Sequence, residues 1–184
     1  MLTAIGMVEL SSIAAGFETE DAMLKAAGVE LILARTICSG KFLVIIAGDV
    51  AAVKASLDTG EAIATGFLIE KLLIPNVDSR VFAAISNSVV LPEDTDHALG
   101  ILETFSISSI IEAADTAVKA ADVILLRVHV AMAVGGKGFL LVCGDVASVN
   151  AAISAAKERI KEQGMLVNSV VIPRAAKELF SEYI

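Results

Sequence analysis

At 184 residues the chain has room for one medium domain or two small ones, and 56% of it is apolar although only 4% is aromatic and Trp is absent. A net charge of −8 and a pI near 4.7 argue against nucleic acid as a partner, because neutralising phosphates requires clustered Lys and Arg. The longest uncharged stretch, Val81–Pro92, contains Ser, Asn and Pro and falls well short of the about 20 apolar residues that a membrane-spanning helix needs.

Taken in chain order, Ala4–Leu10 reads as a strand, and Ser11-Ser12 as the cap of a helix running to about Ala27. Val29–Ile37 and Lys41–Ala47, rich in Val, Ile and Leu, are the next two strands. Val50 to about Ala64 is a second helix, and Phe67–Ile74 is a strand ended by Pro75. A short helical tail follows. Pro, Glu and Asp then cluster near Asn87–His97, which marks a linker at 91–97 between a first domain at 1–90 and a second at 98–184. From Ala98 to Pro173 the same elements return, with the second helix near Ala147–Gln163.

The return is a repeat at the level of residues. Ala4-Ile5-Gly6-Met7-Val8-Glu9 matches Ala98-Leu99-Gly100-Ile101-Leu102-Glu103, and Asp21–Ala27 matches Asp115–Ala121, both 94 residues apart. Gly40-Lys41 matches Gly136-Lys137 and Gly48-Asp49-Val50-Ala51 matches Gly144-Asp145-Val146-Ala147 at 96, and Pro75 matches Pro173 at 98. Order is kept while loops lengthen slightly. The expected fold is therefore α+β: two tandem ferredoxin-like, split βαβ modules, each an antiparallel sheet flanked by helices. The apolar excess exceeds what small cores can hide, so part of it should be buried between subunits.

Two Cys and two His, without a CxxC pair, are too few for a zinc site within one chain. The N-terminus lacks the basic patch and apolar run of a signal peptide, so a cytoplasmic chain with reduced thiols is expected. Neither His97 nor His129 has a carboxylate or nucleophile at a recognisable spacing, and both read as structural. Glu9 and Glu103 occupy duplicated positions, which favours a structural or interface role over an acid–base pair needing unlike environments. Gly135-Gly136-Lys137-Gly138 looks superficially like a phosphate loop, but it lies in a hairpin rather than at a helix N-terminus. No GxGxxG with a ribose acid and no P-loop is present. Taken alone, Cys38 and Cys143 are small hydrophobes or idle thiols.

The duplicated Gly-X-X-Glu strand, Asp-X-X-X-Lys-Ala-Ala helix and Gly-Lys…Gly-Asp-Val strand resemble those of bacterial microcompartment shell proteins, nearest the tandem-domain class. Thr36-Ile37-Cys38-Ser39-Gly40-Lys41-Phe42 is similar to the T-type subunits of propanediol-utilisation compartments, which commonly carry Pro where this chain has Ser39. The resemblance implies a homotrimer with pseudo-sixfold symmetry, packed edge to edge with other shell proteins in a layer in the cytoplasm, with no catalytic residues. It implies that the loops Ile37, Cys38, Ser39, Gly40, Lys41 and Val134, Gly135, Gly136, Lys137 face the central axis. One Cys38 from each of three subunits would then serve as metal ligand to a shared [4Fe-4S] cluster, which carries electrons or supplies clusters to encapsulated redox enzymes. Lys41 and Lys137 are either solvated or offset cluster charge. Lys25 and Lys119 are implied at the tile edge, and so is Arg174, whose counterpart in the first module is Asn76. Cys143, inside a strand, is expected to be a buried thiol. The alternatives are a tile with an open axial pore for metabolites and a free Cys38, or, from another class, a cytosolic trimeric sensor or enzyme with its site between subunits.

Overall fold

The computed structural model describes residues 2–90, 97–130 and 132–182. Of the expected linker at 91–97, residues 91–96 lie outside the described residues. The chain divides into two compact units, 1–79 and 80–184.

The first unit holds β1 (Ala4–Leu10), α1 (Ile13–Ala26), β2 (Glu30–Ile37), β3 (Lys41–Gly48), α2 (Val50–Ile63) and β4 (Leu68–Pro75), and α3 (Ser79–Ile85) begins at its end. Its sheet runs β2-β3-β1-β4 with every neighbour antiparallel. This is the split βαβ order: α1 carries the chain past one strand position, and the β2–β3 hairpin drops β3 into the gap beside β1. Ser12 and Asp49 cap the two helices by accepting the Ala15 and Ala52 backbone N–H groups. The duplicated Gly-Asp-Val is thus a strand end followed by a helix cap. Because side chains alternate along a strand, Ala4, Val8 and Leu10 of β1 and Phe42, Val44 and Ile46 of β3 face one way, against Met23 of α1 and Val53 and Leu57 of α2.

The second unit repeats the plan with β5 (Ala98–Thr104), α4 (Ile107–Ala120), β6 (Ile124–Val130), β7 (Gly138–Gly144), α5 (Val146–Lys161), β8 (Leu166–Ile172) and α6 (Lys177–Glu182). Its sheet order is β6-β7-β5-β8. Ser106 and Asp145 are the helix caps. A hydrogen bond from the Ser148 hydroxyl, with backbone N–H groups of the first turn, holds the Asp145 carboxyl below the usual carboxylate range. On the face away from α4 and α5, Phe180 of α6 packs with Leu99, Leu141 and Cys143. Arg80 donates to the carbonyls of Val118 (2.7 Å) and Val123 (3.3 Å), tying the end of α4 and the start of β6 to α3.

The glycine of each Gly-X-X-Glu strand is fixed by space. A Cβ at Gly100 would stand 2.7 Å from Ile153 and 2.8 Å from Val142 and Val149, and one at Gly6 would stand 2.7 Å from Val53. Helices α2 and α5 therefore sit closer to the sheet than any side chain there allows. Gly100→Val is expected to cost about 1–3 kcal/mol, read as a lower urea midpoint at unchanged slope. Gly28→Ala, where nothing lies within 4 Å of the added carbon, should stay within about 0.5 kcal/mol of the parent.

Candidate functional site

The residue types that could do chemistry collect at one hairpin. Ile37 and Lys41 are the last paired residues of β2 and β3, so Cys38, Ser39 and Gly40 form the whole loop between them. A three-residue hairpin ends in a left-handed residue, and Gly40 takes that place at φ 76°, with open space where a Cβ would be. Conformation, not crowding, demands glycine here. Ile37 is buried, Cys38 is half-buried, and Ser39 and Gly40 are exposed. The thiol therefore stands at the tip of a short, well-anchored turn.

The anchor is an ion pair. Lys41 Nζ lies 2.6 Å from Glu9 Oε1, and the Glu9 carboxylate is almost wholly buried. In the second module Lys137 Nζ lies 2.8 Å from Glu103 Oε1. The two repeated motifs that the sequence presents separately, Gly-X-X-Glu and Gly-Lys, thus meet in space. Each lysine is neutralised by its own module's carboxylate at the foot of its loop.

The second hairpin is longer: residues 131–137 separate β6 from β7. Gly135 and Gly136 turn the chain at φ 67° and 87°, and Lys137 N–H donates to the Val134 carbonyl at 3.4 Å. This loop carries no thiol.

Cys143 contrasts with Cys38 in position and exposure. It lies in β7, fully buried among Leu99, Leu126, Leu141 and Phe180, and burial pushes its thiol up to about 11. Native apo-protein treated with a disulfide reagent at pH 8 should release one thiol equivalent per chain, and a second only in denaturant. Two equivalents under native conditions would contradict the burial of Cys143.

Lys25 and Lys119 each reach back one helical turn, to Asp21 and Asp115, at 2.6 Å. The duplicated Asp-X-X-X-Lys spacing is thus an i,i+4 pair, a partnership that the sequence reading left out. Both lysines remain accessible, with 73% and 45% of their side chains exposed, and Arg174 lies exposed just beyond β8. His129 packs flat on Phe139, with ring centroids 4.7 Å apart, as a structural histidine should. Among the described residues no group of three His, Cys, Asp or Glu side chains comes together to hold a metal. Cys38 belongs to no such group among the described residues of one chain.

The BMC domain model matches residues 4–77 and again 98–175. The chain belongs to the BMC-domain family of bacterial microcompartment shell proteins. Its two BMC modules align along their full length with the shell protein PduT of Citrobacter freundii, at 46% identity over 100% of this chain and 99% of that one. The carboxysome assembly protein CcmO of Synechocystis is 31% identical over 96% of this chain and 63% of its own. A microcompartment protein of Desulfitobacterium hafniense has the same structure, with a TM-score of 0.93 at 46% identity over 97% of this chain and 98% of that chain. A fused permuted hexameric shell protein from the RMM microcompartment shares the fold at TM-score 0.60 and 23% identity, over 87% and 82% of the two chains. The chain is accordingly a shell tile similar to PduT. No described helix is long and apolar enough to cross a membrane.

Proposed function

We propose that the tile is a homotrimer in which three Cys38 loops converge on the axis and share a [4Fe-4S] cluster, for electron transfer or cluster supply across the shell. The observation that carries the trimer is an imbalance between equivalent residues of the two modules. In the second module Ile107, Ile111 and Leu125 are 0%, 0% and 2% exposed; their counterparts Ile13, Phe17 and Leu31 are 39%, 61% and 43% exposed. One surface is covered in one copy of the repeat and bare in the other. A bare face whose twin is covered suits head-to-tail association, and head-to-tail contacts between two-module chains close into a ring at three chains if the modules follow a sixfold plan.

The donor set suits the cluster only in that state. A [4Fe-4S] cluster takes thiolate ligands, usually four, and one chain offers a single accessible thiol. Three Cys38 sulfurs would bind three irons, leaving the fourth to a non-protein or other ligand. When bound, the cluster supplies one-electron chemistry. The chain's own part is to hold the thiol on a short turn braced by Glu9–Lys41 and, in the second loop, to present glycine backbone that lets N–H groups come close.

Shell packing and cluster binding test separately. Concentrated protein should form sheets or tubes in electron micrographs. Lys25→Ala and Lys119→Ala, which remove exposed cations from the implied tile edge, should thin or abolish those layers while leaving the native mass unchanged. Layers undiminished by both changes would remove the lysines from the edge. Anaerobically purified protein should be brown, with broad oxygen-sensitive absorption near 400 nm; colourless protein would favour an open metabolite pore.

A further inference from the structure

We infer that the second module holds a binding site for a small uncharged hydrocarbon, in a cavity between its sheet and α6. The cavity has a volume of about 250 Å³ and is lined by Leu99, Ile101, Phe139, Leu141, Ile172 and Leu179. The strand register explains why these six come together. Leu99 pairs with Ile172 and Ile101 with Leu141, and Phe139 precedes Leu141 at the two-residue spacing that keeps side chains on one face. That face is turned away from α4 and α5. Helix α6 lies over it, with Leu179 on the cavity and its neighbour Phe180 packed on Leu99, Leu141 and Cys143. Val170, in the row of Ile101 and Leu141, is 45% exposed, so the apolar wall runs on to the surface.

The repeat shows that the fold does not require this space. Ile5, Met7, Leu43 and Ile45 hold the equivalent positions of the first module and have no exposure at all, whereas Ile101 and Phe139 are partly exposed. The lining sets the chemistry of the ligand. All six side chains are hydrocarbon, and none offers a donor or an acceptor. A water molecule needs about two to four polar partners to settle in a cavity, whereas apolar cavities of about 150 Å³ stay dry and take up benzene or xenon. A molecule of that size regains the dispersion contacts that bare walls lack. An ion or a sugar would give up its water and receive no hydrogen bond in return. The site lies within one module of one chain, so it stands or falls apart from the trimer and the cluster.

Titrating the whole chain, methyl-labelled for NMR, with benzene tests this. The methyl groups of Leu99, Ile101, Leu141, Ile172 and Leu179 should shift and saturate with a half-point around a millimolar, while those of Ile5, Leu43 and Ile45 stay in place. Leu179→Trp, which brings a larger apolar side chain onto the cavity from a half-buried position on a short helix, should weaken benzene binding about tenfold. Ile172→Phe fills the cavity from the sheet side and should do the same, which keeps the test decisive if the first variant loosens α6. Shifts that do not saturate, that appear equally in the first module, or that persist at full strength in both variants would overturn the proposal. So would binding seen only in Tyr183→Ala or only in single chains, since the cavity would then belong to the chain's own residues 183–184 or to a second copy.

Discussion

Cys38→Ser is expected to remove bound iron and labile sulfide, to below about a tenth of the wild-type content, and to leave fold and native mass untouched. The loss follows from ligand chemistry. A serine hydroxyl stays protonated near neutrality and is a hard oxygen, whereas the irons of a [4Fe-4S] cluster are held by soft thiolates. The preserved fold follows from the position. Cys38 is half-buried at the tip of a turn whose shape comes from Gly40 and whose footing comes from Glu9–Lys41; a near-isosteric change there costs within about 0.5 kcal/mol. Cys143→Ser is the matched control. It places a hydroxyl at a site with no water contact, costing about 1–3 kcal/mol in stability without touching the metal content. Iron retained in Cys38→Ser would place the ligands elsewhere.

Phe17→Glu is expected to dissociate the proposed trimer without unfolding the chain. Phe17 is 61% exposed although it leans on Phe42, with centroids 4.8 Å apart, so a carboxylate there stays solvated in the isolated chain. In an assembled ring the same carboxylate would be sealed off without a partner, at a cost of several kcal/mol, enough to weaken association by more than about a thousandfold. The native mass should fall to that of one chain, 19.1 kDa, with the urea midpoint little changed. Ile111→Glu at the equivalent position of the second module should behave oppositely. Ile111 has no exposure within the chain, so its replacement by a charge damages folding itself. If Phe17→Glu left the trimer intact, the bare α1 face would have no role in assembly.

The fold was legible because the repeat states every rule twice. Ser11-Ser12 marks a helix start, Pro75 a strand end and the Val, Ile and Leu runs the strands between, whereas the caps Asp49, Ser106 and Asp145 and the close approach of a helix at Gly6 and Gly100 emerge only in the structure. Element order and sheet class follow from such local signals. Tertiary partnerships are less legible. Glu9 and Lys41 are 32 residues apart, and nothing in either motif names the other; they meet because β3 lies beside β1. The i,i+4 pairs Asp21–Lys25 and Asp115–Lys119 were open to the sequence through helical spacing and were passed over in favour of a contact outside the chain. The contact of His129 Nε2 with the Met132 carbonyl is not implied by any spacing in the sequence. The unequal burial of Ile13 and Ile107, or of Leu31 and Leu125, is likewise invisible to a reading in which the two modules look alike.

Convergence of one thiol from each of three chains is the claim on which the chemistry rests. Native mass spectrometry of anaerobically prepared protein, joined to iron and acid-labile sulfide analysis of the same sample, reads it directly. Three chains of 19.1 kDa with four irons and four sulfides per trimer is the expected result. A single-chain mass, or a trimer whose iron survives Cys38→Ser, would contradict it.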